Sequence, residues 1–166
     1  MALSALRIGL GVDAHALEPG VPLVLGGVAI DHPRGLAGQS DGDVLAHALT
    51  DALLGAAGLG DIGSIFPPGD ERWRGADSLD LLRDAYAQVT AAGFRLVNAD
   101  CILIGEEPRI ASHRKEMRAR LAAALGTETD RVNVRATTTD RLGFTGRGEG
   151  LAAEAVALLE RQEETA

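Results

Sequence analysis

The sequence contains little cysteine and few aromatic residues. Cys101 is the single cysteine among 166 residues, which excludes a fold held together by disulfides. Phe, Trp and Tyr make up 3% of the chain, so few rings are available to stack single-stranded nucleic acid bases. A chain of this length buries roughly 70% of the surface that it exposes when unfolded. We therefore expect one globular domain over residues 1–166, with Cys101 as a small core residue.

Positive charge and long apolar runs are also scarce. The chain has 16 Lys and Arg against 24 Asp and Glu, a net charge of -8, which disfavours nonspecific binding to nucleic acid. The longest apolar runs, Leu23–Ile30 and Leu53–Leu59, are much shorter than the ~18 residues of a membrane span. The N-terminus has no basic segment ahead of an apolar one. We expect a cytoplasmic protein that binds neither nucleic acid nor membrane.

The hydrophobic pattern predicts helices that alternate with strands. Helices are predicted from a cap at Asp41 or Asp43 to about Gly58 or Gly60, at Ser78–Ala92 and at Ser112–Leu125. Strands are predicted at Ile8–Val12, in a hairpin of Val21–Leu25 and Val28–Ile30, at Phe94–Ile104 and at Val132–Thr138. The composition of Leu151–Leu159 favours a helix, whereas its length and position suit a closing strand. The pattern predicts a sheet covered by helices on one face, and an apolar opposite face would need a partner.

The strongest local signal for chemistry is Asp13-Ala14-His15. Side chains two residues apart on a strand share a face, so Asp13 and His15 reach one metal ion. His47, on the first predicted helix, is the natural third ligand, and two imidazoles with one carboxylate suit zinc. Asp43 and Asp51 lie one turn on either side of His47, where either is placed to orient its ring. Polar residues at a strand end and on a solvated helix face are the competing interpretation.

A second signal is the hydroxyl-rich and glycine-rich segment 136–150. The hydroxyls of Thr137, Thr138 and Thr139, the backbone amides of the segment and the fork of donors on Arg147 suit phosphate oxygens. Asp140 suits a hard cation such as magnesium. The spacing is not that of a Walker or Rossmann loop, so a tight turn with a structural arginine remains an alternative. After the first helix, Asp61-Ile62-Gly63 either binds a polyol or an anion, or simply terminates that helix.

Taken together, the segments resemble the 2-C-methyl-D-erythritol 2,4-cyclodiphosphate synthase family over nearly the whole chain. The blocks that carry the resemblance are RIGLGVDAH (7–15), SDGDVLAHALTDALLGAAGLGDIG (40–63), GADS (75–78) and VNVRATTTDRLGFTGRGEG (132–150). The resemblance implies a two-layer α+β fold, with a mixed four-stranded sheet and helices packed on one face. It also implies that Leu151–Leu159 is a strand and that the protein is a homotrimer with active sites between subunits.

The resemblance further implies a reaction and the residues that carry it. The substrate would be 4-diphosphocytidyl-2-C-methyl-D-erythritol 2-phosphate, and intramolecular phosphoryl transfer would release CMP. Asp13, His15 and His47 would bind one zinc ion per subunit, and a second divalent cation, magnesium or manganese, would lie near Asp140. Thr138 and Gln39 would be catalytic. The implied substrate-binding residues are Ser40, Asp61, Ile62, Gly63, Phe66, Asp70, Gly105, Pro108, Arg109, Ile110, Ala111, Ala136, Thr137, Thr139, Phe144 and Arg147.

Three positions depart from the family pattern. Gln39 stands where the family usually has a histidine, Asp140 replaces the usual glutamate, and Pro68 replaces an acidic residue in the mobile loop. Two other functions remain open beside the phosphorus-oxygen lyase. One is a zinc-dependent phosphohydrolase that uses water as the nucleophile. The other is a non-catalytic trimeric module that binds an isoprenoid diphosphate.

Overall fold

The computed structural model describes residues 5–162, so residues 1–4 and 163–166 of the predicted domain lie outside the described part. The strands are β1 Leu6–Pro19, β2 Leu23–Leu25, β3 Val28–Ile30, β4 Arg34–Leu36, β5 Phe94–Ile104, β6 Val132–Thr137 and β7 Gly150–Arg161. The helices are α1 Val44–Ala57, α2 Ile62–Ile65, α3 Ser78–Ala91, α4 Arg114–Ala124 and α5 Gly143–Gly146. Two short 3-10 helices span Glu71–Trp73 and Thr129–Arg131.

Five of the strands form the main sheet, in the order β4-β1-β7-β5-β6. All neighbours are antiparallel except β5 and β6, which run parallel. The mixed α+β class is confirmed, but the predicted count of four strands is wrong. The additional strand, β4, pairs with the end of β1, where Leu36 lies opposite Leu17. A strand of three residues is too short to show a periodic pattern.

The last strand, β7, resolves the ambiguity of the segment Leu151–Leu159. It lies in the middle of the sheet and pairs with both β1 and β5. Its alanines favour a helix in isolation, but backbone pairing on two sides outweighs that local preference. The strand implied by the family resemblance is therefore confirmed.

Strand β1 has one closed face and one open face. A Cβ atom placed on Gly9 would lie 2.0 Å from the carbonyl oxygen of Ala52, and one on Gly11 would lie 1.9 Å from that of Ala48. Only glycine at both positions therefore lets α1 pack this closely against the sheet. The alternate residues point the other way, and Ile8, Leu10 and Val12 are 73%, 63% and 55% exposed. The sheet thus presents an apolar stripe on the side away from α1.

Asp43 joins the start of α1 to the hairpin of β2 and β3. It caps the helix by accepting from the backbone N of Ala46 at 3.1 Å. Its carboxylate also accepts from the backbone N of Gly26 at 2.9 Å and of Gly27 at 2.7 Å. Both glycines have positive φ, 58° and 75°, as expected for the predicted two-residue turn. Burial raises the pKa of Asp43 to about 6 against the effect of these hydrogen bonds.

Two sequence features, the short apolar runs and the single cysteine, can be compared with the structure. The longest described helices, α1 and α3, have 14 residues each, and no helix within residues 5–162 has the length and apolar character to cross a membrane. Cys101 is fully buried in β5, and burial raises the pKa of its thiol to about 12. This burial confirms the prediction that Cys101 is a small core residue. A thiol with a raised pKa remains protonated and is therefore unreactive.

Candidate active site

Strand β1 and helix α1 bring Asp13, His15 and His47 together. Asp13 and His15 lie on the same face of β1 as Gly9 and Gly11, the face against which α1 packs. Asp13 Oδ2 lies 2.9 Å from His15 Nε2 and 3.0 Å from His47 Nδ1. The two ring nitrogens lie 3.4 Å apart. The close β1–α1 contact made possible by the glycines therefore assembles the three predicted ligands.

The donor atoms of this group fit a zinc ion. One ligand atom from each residue lies within 4.8 Å of the other two. In a tetrahedral site with bonds of ~2.1 Å, zinc ligands are separated by about 3.4 Å. Two imidazole nitrogens and one carboxylate oxygen are a typical zinc set and leave a fourth position for another ligand. The three residues can therefore hold a divalent metal, as the sequence predicts.

The charge of the group also favours a cation. Burial raises the pKa of Asp13, but the hydrogen bonds to His15 and His47 together outweigh it and lower that pKa to about 2. The hydrogen bond to Asp13 in turn raises the pKa of His15, so a metal ion has to displace a proton from that ring. A carboxylate that stays ionised between two imidazoles is a ligand in the protonation state that metal binding requires.

The prediction that Asp43 or Asp51 orients the ring of His47 is wrong. Asp43 is buried against the hairpin, and Asp51 accepts from the backbone N of Ile62 at 2.7 Å. The partners of His47 Nε2 are instead two hydroxyls, Ser78 Oγ at 2.8 Å and Ser40 Oγ at 3.2 Å. Sequence reasoning missed the role of Ser78. The GADS block marks this serine as part of the family pattern, but its spacing from His47 carries no sign of contact.

A cavity of about 210 Å³ opens beside the metal-binding group. Besides Asp13, His15 and His47, its walls include five further predicted site residues, namely Gln39, Ser40, Ile62, Gly63 and Phe66. Pro68, Trp73 and Leu81 complete the lining. The indole of Trp73 packs edge-on against Phe66, with ring centroids 4.9 Å apart. The structure thus joins the loop after α2 to the metal-binding group, and Trp73 is a wall residue that the sequence pattern did not reveal.

Two predicted substrate-binding carboxylates are absent from the lining of this cavity. Asp61 caps α2 and accepts from the backbone N of Ser64 at 2.8 Å and from its hydroxyl at 2.7 Å. Those hydrogen bonds lower the pKa of Asp61, which is fully exposed. Asp70 pairs with Arg72, with an Oδ2 to Nη2 distance of 2.6 Å. Both carboxylates lie near the loop that borders the cavity.

The remaining predicted residues form a second region. Pro108, Arg109 and Arg147 line a cavity of about 510 Å³, with Arg34 and Arg141 among its other lining residues. Gly105 follows β5 directly, and Ala111 is exposed. Ile110 is 2% exposed and belongs to the hydrophobic core.

The segment after β6 is exposed and compact. Ala136 and Thr137 end β6, and Thr138 donates to Asp140 Oδ1 at 3.3 Å. Thr139 donates to the carbonyl oxygen of Leu142 at 2.6 Å. Phe144 lines a small cavity of about 270 Å³ together with His15. None of residues 105–111 or 136–140 lines the cavity at the metal-binding group, so one chain carries the predicted site as two separate halves.

The fold and the two half-sites define an α+β protein in which Asp13, His15 and His47 can hold a metal ion. The model of the YgbB family matches residues 6–160. The chain belongs to this family, and the resemblance to 2-C-methyl-D-erythritol 2,4-cyclodiphosphate synthases is confirmed. The synthase of that name from Moorella thermoacetica is 60% identical over 154 residues, which cover 93% of this chain and 94% of the relative.

Solved structures agree with this membership. The bifunctional IspDF from Campylobacter jejuni has a TM-score of 0.93 and 43% identity, and the match covers 97% of this chain and 44% of that protein. A 2C-methyl-D-erythritol-2,4-cyclodiphosphate synthase in a CDP-bound form has a TM-score of 0.84 and 43% identity. That match covers 93% of this chain and 100% of the other.

Proposed function

We propose that this protein converts 4-diphosphocytidyl-2-C-methyl-D-erythritol 2-phosphate into 2-C-methyl-D-erythritol 2,4-cyclodiphosphate and CMP, as a phosphorus-oxygen lyase of non-mevalonate isoprenoid biosynthesis. The observation that carries the proposal is the group Asp13, His15 and His47, which opens into a cavity lined by predicted substrate-binding residues. The name of the relative that is 60% identical supports the same reaction. The related synthase in a CDP-bound form supports a cytidine diphosphate substrate.

The proposed chemistry needs no nucleophile from the protein. An oxygen of the 2-phosphate attacks the β-phosphorus of the cytidine diphosphate arm and forms a new P–O bond. The bond from that phosphorus to the bridging oxygen breaks, and CMP leaves with the electron pair. Phosphoryl transfer of this kind requires from the protein mainly positioning and neutralisation of charge.

The residues divide these tasks between them. Asp13, His15 and His47 would hold zinc, which when bound supplies positive charge and Lewis acidity at a phosphoryl oxygen. Ser40 lies beside His47, where its hydroxyl can donate to the 2-phosphate. Thr138 would steady the transition state from the second half-site. The carboxylate of Asp140 would share magnesium or manganese with the substrate phosphates.

We also propose a homotrimer with its active sites between subunits. The stripe of Ile8, Leu10 and Val12 is an apolar surface that a second copy would bury. Residues 105–111 and 136–140 lie outside the cavity of their own metal-binding group, so a neighbouring copy is the natural source of the second half. A cytoplasmic location remains a prediction from the sequence.

Phosphorus NMR of the purified protein with the cytidyl substrate, zinc and magnesium tests the reaction. We expect cyclic diphosphate and CMP to appear in equal amounts. CMP together with a linear phosphate would replace the proposal with a phosphohydrolase. No turnover by a zinc-loaded trimer would favour the non-catalytic binding module.

A further inference from the structure

A buried serine links His47 to a carboxylate on the far side of its ring. Ser78 Oγ lies 2.8 Å from His47 Nε2, and the same hydroxyl contacts Asp41 Oδ1. Ser78 has no solvent exposure. The Asp41 carboxylate is held in turn by the backbone N of Ser78 at 3.0 Å and that of Asp43 at 3.1 Å. His47, Ser78 and Asp41 therefore form a continuous hydrogen-bonded row.

The chemistry of the three groups determines the direction of each hydrogen bond. An ionised carboxylate only accepts, so the single hydroxyl hydrogen of Ser78 goes to Asp41. Ser78 Oγ is then an acceptor toward His47, so His47 must carry a hydrogen on Nε2. When a metal ion replaces the hydrogen that Nδ1 otherwise shares with Asp13, the lone pair of Nδ1 faces that ion, in the tautomer that a metal ligand requires.

The other histidine is oriented by a simpler contact. The backbone of Ala37 raises the pKa of His15, and a main-chain carbonyl can only accept from a ring N–H. A hydroxyl can donate or accept, so Ser78 alone would not select one tautomer of His47. The carboxylate of Asp41 removes that choice. This difference explains why the His47 side needs two groups where the His15 side needs one.

Ser40 is less suited to the same task. It also lies within reach of His47 Nε2, at 3.2 Å, but it is partly exposed and lines the cavity. Its oxygen accepts a further hydrogen bond from the backbone N of Gly42 at 3.3 Å. Ser40 can therefore turn its hydrogen toward a ligand, whereas Ser78 is committed to the row.

We propose that Ser78 is a positioning residue of the metal centre, which it serves by holding His47 in the Nε2–H tautomer, and that Asp41 sets the direction of the Ser78 hydroxyl. The inference rests on the metal centre of the proposed function. The sequence predicts that Asp43 or Asp51 orients the ring of His47. The proposal assigns this role to Ser78 and Asp41 instead. Groups that hydrogen-bond a metal-bound histidine typically change metal affinity about 10–100-fold when they are removed.

Zinc affinity of the purified full-length protein, measured by competition with a chromophoric chelator, tests the inference. We expect Ser78→Ala to weaken zinc binding about 10–100-fold. Asp41→Asn should also weaken it, because the amide NH2 of asparagine is a donor and would face the N–H or O–H donors of Ser78 that the carboxylate accepts from. Ser64→Ala is the matched control, since it removes a serine-to-aspartate hydrogen bond of 2.7 Å that touches no metal ligand. Its zinc affinity should equal that of the wild type.

Two further measurements separate positioning from a general structural role. Urea unfolding of the metal-free variants reports any loss of stability, and the absorption spectrum of the cobalt-substituted protein reports ligand geometry. We expect a changed cobalt spectrum in Ser78→Ala even where metal-free stability is retained. Wild-type zinc affinity and an unchanged cobalt spectrum in both Ser78→Ala and Asp41→Asn would overturn the inference. If Ser78→Ala does not fold, Asp41→Asn decides alone, because it keeps the serine.

The wild-type protein separates this inference from the proposed function. Suppose that the wild type binds zinc and produces no cyclic diphosphate, while Ser78→Ala still weakens zinc binding. The proposed reaction then fails, and the positioning role of Ser78 stands.

Discussion

Gln39 is joined to Asp70 by a hydrogen bond of 2.7 Å from its side-chain Nε2 to the main-chain carbonyl oxygen. The other end of the same amide, Oε1, accepts from the backbone N of Gly69 at 2.8 Å. The main-chain oxygen of Gln39 also accepts from the backbone N of Gly75 at 2.7 Å. These three hydrogen bonds fasten the loop that carries Trp73 against the cavity. A primary amide offers a donor and an acceptor side by side, which an imidazole does not.

We predict that Gln39→Ala loosens this loop and raises KM several-fold, since each lost hydrogen bond is worth about 1 kcal/mol. Hydrogen exchange of the backbone amides in residues 67–75 should become faster in the variant. Gln39→His, which restores the usual family residue, should change turnover and leave the product the same. Steady-state CMP release and phosphorus NMR measure both effects. Unchanged exchange in Gln39→Ala would refute the fastening role, and a new product from Gln39→His would show that Gln39 alters the chemistry itself.

The metal-binding group was predictable because it follows from regular periodicity. Asp13 and His15 share a strand face, and His47 lies on a helix whose amphipathic pattern is visible in the sequence. Asp43 was correctly named as a possible helix cap, but its burial depends on a hairpin 16 and 17 residues away. Contacts of that kind are decided by packing and leave no local pattern.

The same reasoning explains what the sequence did not reveal. Strand β4 has three residues, which is too few to show an alternation of apolar and polar side chains. It is a strand because it pairs with β1. Ser78 lies 31 residues from His47, and a lone serine at the start of a helix normally indicates only a helix terminus. Their juxtaposition depends on the packing of α3 beside α1, which the amphipathic pattern allows but does not specify.

His47→Ala should remove most of the bound zinc and lower activity by more than about 100-fold. Removing a group that only hydrogen-bonds a metal ligand lowers affinity or activity about 10–100-fold, and removing the ligand itself should cost more. The variant should remain a folded trimer. Elemental analysis for zinc, the rate of CMP release and light scattering measure these three properties. His113→Ala is the control, since this histidine precedes α4 and is not part of the metal-binding group. Full activity of His47→Ala without bound metal would refute the zinc assignment.

Asp43→Ala should be strongly destabilising. It leaves the backbone N–H groups of Gly26, Gly27 and Ala46 without their acceptor, and each buried unpaired donor costs about 1–3 kcal/mol. Asp77→Ala is the matched control. Asp77 also caps a helix, but it is exposed, and its carboxylate accepts from one backbone donor, the N–H of Leu79. Its loss should cost about 1 kcal/mol. Equal free energies of unfolding in urea for the two variants would contradict the conclusion that Asp43 stabilises the contact between α1 and the β2–β3 hairpin.

Leu10→Arg should dissociate the proposed trimer. Leu10 is 63% exposed in the middle of the apolar stripe of β1, and a guanidinium there would be buried without a partner if a second copy covered the stripe. The single chain has room for the new side chain, so the subunit should stay folded. Light scattering coupled to size-exclusion chromatography measures the mass. Gln88→Arg, which places the same side chain on the exposed side of α3, should leave the mass unchanged; a trimeric Leu10→Arg protein would place the interface elsewhere.

Mixed oligomers test whether the two half-sites come from different subunits. His47→Ala destroys the metal-binding half, and Thr138→Ala should impair the other half, so each variant alone should have little activity. In a trimer with sites between subunits, a site is intact when a Thr138→Ala subunit supplies the metal-binding group and a His47→Ala neighbour supplies Thr138. Random assembly of equal amounts then restores about a quarter of the sites. Co-expression with two different tags yields the mixed protein for a CMP-release assay. Activity no higher than that of either variant alone would mean that His47 and Thr138 do not act together across a subunit boundary.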